Sequence, residues 1–216
     1  MTKLEIVKYG DKRLRYKTKD VSKFSKKIKQ LAFDMLETMY EANGVGLAAP
    51  QVGDFNRMFV IDVSDPEAPP SPMVFINPKI IKKSGALNSY EGCLSFPQAY
   101  TYVRRYSEIT VRAQDLDGRY FTLNVSAKDN ELLVKAIQHE FDHLNGVLFV
   151  DHARDIEKTN KILEENNLNP IEKDNFLEEK ELEEEVSKLP PTQEDLAREK
   201  LLQEQKMKNV LSDEGN

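Results

Sequence analysis

Two histidines stand four residues apart, with a glutamate between them, in a segment whose apolar residues repeat at helical spacing. The segment is ELLVKAIQHEFDHLNG, residues 131–146, and its closing Asn-Gly pair is typical of a helix end. Residues four apart differ by about 40° around a helix, so His139 and His143 project from the same face. The sequence therefore predicts a helix that presents two imidazoles to one metal ion.

Glu140 gives this helix the means to move protons. It lies about 100° around the helix from His139, where it can reach a water beside the ion without being forced to ligate. A metal ion lowers the pKa of such a water, and a neighbouring carboxylate then takes and returns its proton. Hydrolysis at a carbonyl group needs this combination.

A catalytic ion needs a third protein ligand, and the sequence offers three kinds of candidate. A histidine ten residues after His139 is excluded, because that position is Phe149. Glu164 or Glu165 has a permissible spacing, although an acid-rich segment offers such a glutamate almost anywhere. The last candidate is Cys93 in EGCLSFP, which we interpret as a loop because glycine, serine and proline mark it.

The number of cysteines in the chain is informative about the cellular compartment of the protein. One cysteine in 216 residues cannot form an internal disulfide, which fits a reducing environment. No run of about 18 apolar residues is present, so we expect no membrane span. The first 17 residues lack the apolar block of a secretory signal peptide. We therefore expect a cytoplasmic protein.

Charge is distributed unevenly along the chain. Residues 155–216 contain 18 Asp and Glu against 9 Lys and Arg, a net charge of −9, which leaves +3 on residues 1–154. We predict a catalytic domain over 1–154 and an acidic C-terminal extension over 155–216, helical near 152–167 and then mobile. Nothing resembles a concentrated basic stripe, so we expect no direct nucleic-acid binding.

Strand patterns dominate before the late helix. Asp117-Gly118 separates two alternating segments and predicts a β-hairpin. An earlier helix is expected over 22–42 with Ser22 as its N-cap. Strands are expected at 57–63, 73–81, 108–116 and 119–125. Because no β-α-β alternation is present, the predicted class is α+β, with antiparallel β-sheets packed around a central helix that carries the H-E-x-x-H motif.

Three segments together carry a family resemblance. GVGLAAPQVG (44–53), EGCLSFP (91–97) and QHEFDH (138–143), in this order and at these separations, closely resemble the motifs of peptide deformylases. The resemblance spans roughly residues 4–154. It implies an enzyme that removes the formyl group from the N-terminal formyl-methionine of newly synthesised polypeptides and releases formate.

The resemblance also assigns roles to residues. It implies that Cys93, His139 and His143 ligate the metal and that Glu140 is the acid and base. Gln51 and the backbone N–H of Leu94 correspond to the donors that stabilise the oxyanion formed from the formyl oxygen. The sequence gives each of these positions the residue that the family pattern requires.

Substrate contacts and the metal follow in the same way. The resemblance implies that Gly46 offers its backbone to the peptide, and we expect Val45, Leu132 and Ala136 to line an apolar methionine pocket. It also implies one divalent metal ion, which we expect to be Fe²⁺. A Cys/His/His ligand set also accepts Zn²⁺, Ni²⁺ or Co²⁺ as substitutes.

Charged residues outside the predicted ligand set also carry expectations. Glu91 and Arg105 are expected to pair and steady the cysteine segment, and His152 is expected to be solvated.

Some deformylases are thought to dock on the ribosome through a basic C-terminal helix. The acidic extension argues against that mode here, although transient proximity to the ribosome remains open.

Two rival functions stay open at this point. One is a zinc endopeptidase that uses His139, His143 and a glutamate of the acidic extension. The other is a catalytically silent peptide-binding relative, whose usual mark is loss of the base or of a ligand. Cys93 separates the first rival from a deformylase, because only the deformylase needs its thiolate for the metal.

Overall fold

The computed structural model describes residues 3–175. The later part of the acidic extension, which was predicted to be mobile, lies outside the described residues. Three α-helices are present in the described chain: α1 (Lys26–Glu41), α2 (Ala127–His143) and α3 (Ile156–Glu165). The strands are β1 (Gly46–Ala48), β2 (Met58–Ile61), β3 (Met73–Ser84), β4 (Leu87–Cys93), β5 (Phe96–Arg105), β6 (Glu108–Gln114) and β7 (Tyr120–Ser126).

The strands form one five-stranded sheet and one separate hairpin. The sheet order is β1-β2-β3-β6-β7, and β4 pairs only with β5. Every recorded strand pair is antiparallel. The predicted α+β class with antiparallel sheets is confirmed.

Strand β2 is buried on both faces, because helices cover both sides of this part of the sheet. Phe59 and Ile61 point toward α2 and belong to the apolar cluster that includes Val134 and Ile137 of that helix. Met58 and Val60 alternate to the other face and pack with α1. This double burial explains why the strand is a continuous apolar run rather than an alternating one.

The first helix begins later than predicted. Ser25, not Ser22, is its N-cap residue, and α1 starts at Lys26. The preceding segment stays extended because the Asn77 side chain accepts a hydrogen bond from the Val21 N–H at 2.7 Å. The same amide donates to the Val21 carbonyl at 2.9 Å. A contact with a distant strand therefore overrides the local capping signal.

The metal-motif helix is longer than its apolar pattern suggests. It starts at Ala127 instead of 131, and Asn130 interrupts it with a non-helical φ of −153° and ψ of 90°. The Asn130 side chain accepts a hydrogen bond from the Leu133 N–H at 2.9 Å, as an N-cap side chain does. The regular part of α2 therefore begins close to the predicted start.

The interpretation of the cysteine segment as a loop was wrong. Cys93 is the last residue of strand β4, where it pairs with Phe96 across a tight turn. Gly92 and Pro97, which made the segment look irregular, lie within the two strands of a hairpin whose register shifts between Gly92 and Cys93. This hairpin supplies the wall of the site that faces α2.

The chain continues to pack against the body after residue 154. On α3, the Thr159 hydroxyl lies 2.8 Å from the Thr101 hydroxyl of β5, and Leu163 is fully buried. Ile171 is also buried in this cluster. The division at residue 154 stays a prediction. No helix among the described residues is long and apolar enough to cross a membrane.

Candidate metal centre and active-site cleft

Helix α2 places both histidines of the motif on one side. Their ring centroids are 5.1 Å apart and their planes are inclined by 72°. Both side chains are buried. Packing of the apolar face of α2 against the sheet fixes the direction in which the imidazoles point.

Strand β4 brings Cys93 to the same place. Its Sγ lies 3.3 Å from Nε2 of His143. One ligand atom from each of Cys93, His139 and His143 falls within 4.8 Å of the others. Among residues 3–175 this is the one group of His, Cys, Asp and Glu that could hold an ion. A thiolate with two imidazoles is a donor set suited to Zn²⁺ or Fe²⁺.

Glu91 orients the first histidine. Its Oε2 lies 2.9 Å from Nδ1 of His139, which leaves Nε2 of that ring for the ion. Arg105 in turn donates two hydrogen bonds of 2.8 Å to the Glu91 carboxylate. The expected Glu91–Arg105 pair is confirmed, and it holds the His139 ring as well as the cysteine strand.

The network extends further than the sequence indicated. Arg105 is only 2% exposed and also donates to Asp142 of α2. Nε2 of His152 lies 3.1 Å from the same Asp142 carboxylate. The expectation that His152 is solvated was wrong, because the chain after α2 turns back and buries it against the helix.

The electrostatic surroundings fit a cation at this point. Burial and the neighbouring His139 lower the pKa of His143 well below its ordinary value, so this ring is neutral, the form that ligates. Burial alone would lower the pKa of His139, but Cys93 and Glu91 raise it well above its ordinary value. The electrostatic effect of Cys93 and Glu91 therefore favours a positive charge here, which a divalent ion supplies.

Glu140 lies beside the three ligand side chains in a nearly dry position. It is 4% exposed, and its Oε2 has no hydrogen-bond partner within the described part of the chain. Burial, the largest cause, raises the pKa of Glu140 to about 7. A carboxyl group with a pKa near neutrality can both accept and return a proton.

The Gln51 amide is held with its donor side toward the cysteine. Its Oε1 accepts a hydrogen bond of 2.8 Å from the Ala48 N–H. Its Nε2 then lies 3.4 Å from the Cys93 sulfur and 3.3 Å from the Ser95 hydroxyl. Ser95 was missed in the sequence, where a serine in a turn carries no signal of its own. The carbonyl of Leu94 accepts from Lys8, at 2.8 Å.

A cleft of about 440 Å³ opens onto these residues. The substrate-contact residues predicted from the sequence all line it: Val45, Gly46, Leu132 and Ala136. Val45 and Leu132 are partly exposed, at 42% and 46%, and so present apolar surface to the cleft. Gln51, Leu94, His139 and Glu140 lie on the same walls.

Gly46 leaves room for the carboxylate of Glu140. A Cβ at residue 46 would lie 2.4 Å from Oε1 of Glu140, well inside van der Waals contact. We expect Gly46→Ala to displace that carboxylate and to lower kcat by about 100-fold, because a misplacement of about 1 Å has this order of effect. Steady-state kinetics with a formyl peptide, the substrate that the resemblance implies, measures it.

Gly85→Ala is the matched control for this substitution. Gly85 has a φ of 66° in a turn against Ser107 and does not line the cleft. The control should lose stability but keep its kcat. A wild-type kcat in Gly46→Ala would show that the spacing between Gly46 and Glu140 is unimportant.

A partly buried cysteine and two buried histidines, with a buried glutamate beside them in an α+β fold, are the residues that a metal-dependent hydrolase requires. The family model of polypeptide deformylases matches residues 3–159. The chain belongs to the polypeptide deformylase family, whose members deformylate nascent peptides.

Relatives and solved structures agree with this membership. A peptide deformylase of Endomicrobium trichonymphae is 50% identical over 155 residues, covering 72% of this chain and 89% of the relative. One of Dictyoglomus thermophilum is 50% identical over 157 residues, covering 73% and 95%. The structure of a Synechococcus elongatus peptide deformylase in complex with actinonin superposes with a TM-score of 0.71 at 42% identity, covering 76% and 88%.

Proposed function

We propose that this chain hydrolyses the formamide of N-formylmethionyl peptides at a divalent ion held by Cys93, His139 and His143. The observation that carries the proposal is the meeting of three potential ligand atoms within 4.8 Å of one another beside a cleft of about 440 Å³. Glu140 and Gln51 line the same cleft. The ion, when bound, supplies Lewis acidity to the formyl carbonyl and to a water molecule.

Glu140 manages the protons of the reaction. It takes a proton from the attacking water and delivers it to the amine that leaves as the carbon–nitrogen bond breaks. Its burial excludes bulk water from this exchange. The raised pKa of Glu140, about 7, keeps both protonation states accessible near neutral pH.

Gln51 and the backbone N–H of Leu94 stabilise the oxygen that becomes negative during attack. The orientation of the Gln51 amide supports this role, because its oxygen is already bonded to Ala48 and its Nε2 faces the ligand cluster. A preorganised donor of this kind contributes about 3–4 kcal/mol to transition-state stabilisation.

The peptide lies extended in the cleft. Gly46 offers backbone polar groups to it, as a strand edge does for an added strand. Val45, Leu132 and Ala136 accept the methionine side chain. Deformylation of the nascent chain requires this end-on binding, because the formyl group is the first group of the peptide.

Ferrous iron is the proposed ion, with Zn²⁺, Ni²⁺ or Co²⁺ as substitutes. The donor set accepts all four ions, so the choice of iron follows the family's usual preference. The acidic extension, with a net charge of −9, argues against docking on ribosomal RNA through a basic C-terminal helix.

The endopeptidase alternative has less support. It needs a glutamate of the extension as third ligand, but Glu164 and Glu165 are exposed on α3. Neither joins the metal-capable group found in residues 3–175. A silent peptide-binding relative would lack the base or a ligand, and Glu140, Gln51 and Cys93 are all present.

Product analysis separates these functions. Metal-loaded protein incubated with formyl-Met-Ala-Ser should give equal amounts of formate and intact Met-Ala-Ser by mass spectrometry. Fragments cut at an internal peptide bond would favour the endopeptidase. Unchanged peptide that nevertheless binds would favour the silent relative, and either result would overturn the proposal.

A further inference from the structure

A second cavity lies on the far side of α2 from the catalytic cleft. Its volume is about 330 Å³, and no residue of the described chain lines both this cavity and the cleft. Helix α2 contributes Gln138, Phe141 and Asp142 to its wall. Ala136, which lines the cleft, is two residues from Gln138, so the two side chains point about 160° apart around the helix. The helix therefore separates two independent spaces.

Apolar side chains form a large part of the wall of this second cavity. Gln138 fixes that wall, because its Oε1 accepts a hydrogen bond from the Tyr106 N–H and its Nε2 donates to the Tyr106 carbonyl, both at 2.9 Å. The Tyr106 backbone is thus held in place before any ligand binds. Preformed cavities of about 300–1,000 Å³ with apolar walls are the usual sites for small organic ligands. The apolar residues on the wall are Ile80, Tyr106, Ile109, Phe141 and Val147.

The charged residues around the same cavity are mostly cationic. Arg105 is only 2% exposed, and its guanidinium already pairs with carboxylates of the buried network. Lys83 is exposed, and its Nζ lies 4.3 Å from the centre of the Tyr106 ring, where the apolar wall begins. The cavity therefore offers positive charge beside an apolar surface. Within residues 3–175, the wall carries three cations and one carboxylate: Lys83, Arg104, Arg105 and Asp142.

We propose that this second cavity binds a small organic monocarboxylate, with the apolar body of the ligand on the Tyr106 side and its carboxylate toward Lys83. A positive group beside apolar surface favours an anion that also has apolar area to bury. A ligand with several negative charges is less suited, because the Asp142 carboxylate lies on the same wall and would repel it.

The second cavity is independent of the proposed catalytic function. Because the two spaces share no wall residue among those described, the carboxylate and a formyl peptide should bind to the same molecule at the same time. The ligand should therefore not compete with the peptide. This expectation separates binding in the second cavity from binding of a carboxylate to the metal ion.

Calorimetric titration with 4-phenylbutanoate and with its uncharged analogue 4-phenylbutanamide tests the site in the metal-loaded protein. The wild type should bind the carboxylate about tenfold more tightly than the amide, because hydrogen bonds to charged groups contribute this order of affinity. Lys83→Glu should remove the difference. Val147→Phe, which places a larger side chain in the cavity, should abolish binding of both probes.

Lys82→Glu is the matched control. Lys82 is an exposed lysine next to Lys83 on β3, but it does not line the second cavity. The control makes the same change of charge and should bind both probes as the wild type does. Formate release from formyl-Met-Ala-Ser, measured with and without 4-phenylbutanoate, should show no competitive inhibition.

Four results would overturn the second site. They are equal affinity of the wild type for the two probes, no binding of either probe, affinities that Lys83→Glu and Val147→Phe leave unchanged, and competition with the formyl peptide. No binding would identify the cavity as a hydrated packing space, and competition would place the carboxylate in the catalytic cleft. Absence of formate from the wild type would overturn the proposed function alone, because calorimetry reports on the second cavity directly.

Discussion

Replacing Glu140 by glutamine should reduce kcat for formyl-peptide hydrolysis by about 100- to 10,000-fold, the usual range for losing a general acid-base. Glutamine has nearly the same shape but cannot exchange a proton with water or with the leaving amine. Among residues 3–175, Glu140 is the glutamate that is both buried beside the predicted ligands and free of a hydrogen bond at its Oε2. Rapid-quench or steady-state formate assays at saturating peptide measure the effect.

Glu140→Gln should lose activity but keep the metal content and the fold of the wild type. Glu140 is outside the group of three ligand side chains, so Glu140→Gln should bind as much metal as the wild type. Its stability should be equal or higher, because burial disfavours the charged carboxylate. Glu131→Gln on the same helix, where Glu131 is exposed and paired with Lys135, is the matched control and should keep full activity.

Two results would refute the role of Glu140. One is a kcat within about tenfold of the wild type, which falls below the range for general acid-base catalysis. The other is loss of the metal together with activity, which would make Glu140 a ligand or a structural support.

Arg105→Met should destabilise the fold by about 3–5 kcal/mol, the usual effect of removing one partner of a buried ion pair. The Arg105 guanidinium is 2% exposed and joins Glu91 of β4 to Asp142 of α2. Without it, the buried Glu91 carboxylate and the partly buried Asp142 carboxylate lose the cation that they share. Denaturant unfolding monitored by circular dichroism gives the change in free energy.

Arg119→Met is the matched control, because Arg119 also pairs with carboxylates but is 75% exposed. It should change the free energy of unfolding by at most about 1 kcal/mol, as exposed ion pairs do. Equal effects of the two substitutions would mean that the buried network around Arg105 does not hold the hairpin to α2.

The helix that carries the H-E-x-x-H motif was predictable because the spacing of residues within its own segment indicates it. Helical spacing alone places His139 and His143 together, and a helix turns every 3.6 residues whatever surrounds it. Gln51 and Leu94 were reached only through the family resemblance, which also selected Cys93 from the candidate third ligands. Leu94 and Cys93 depend for their positions on the β4–β5 hairpin, and no pattern in the segment around Gly92 and Pro97 indicated strands.

Contacts between distant elements explain the other differences. His152 looked solvated because its sequence neighbours are charged, yet the chain buries it against Asp142. The start of α1 moved because Asn77, on a strand far along the chain, holds Val21 extended. Tertiary contacts of this kind leave no trace in a single sequence.

The central claim is that formyl peptides are hydrolysed at an ion held by Cys93, His139 and His143. The most direct test is anaerobic titration of metal-free protein with Fe²⁺ while formate release from formyl-Met-Ala-Ser is followed, in the wild type and in Cys93→Ala. Wild-type release should rise with added iron and saturate at a single ion per chain, while Cys93→Ala stays near the metal-free rate. Equal release without metal, or the same saturation in Cys93→Ala, would contradict the account.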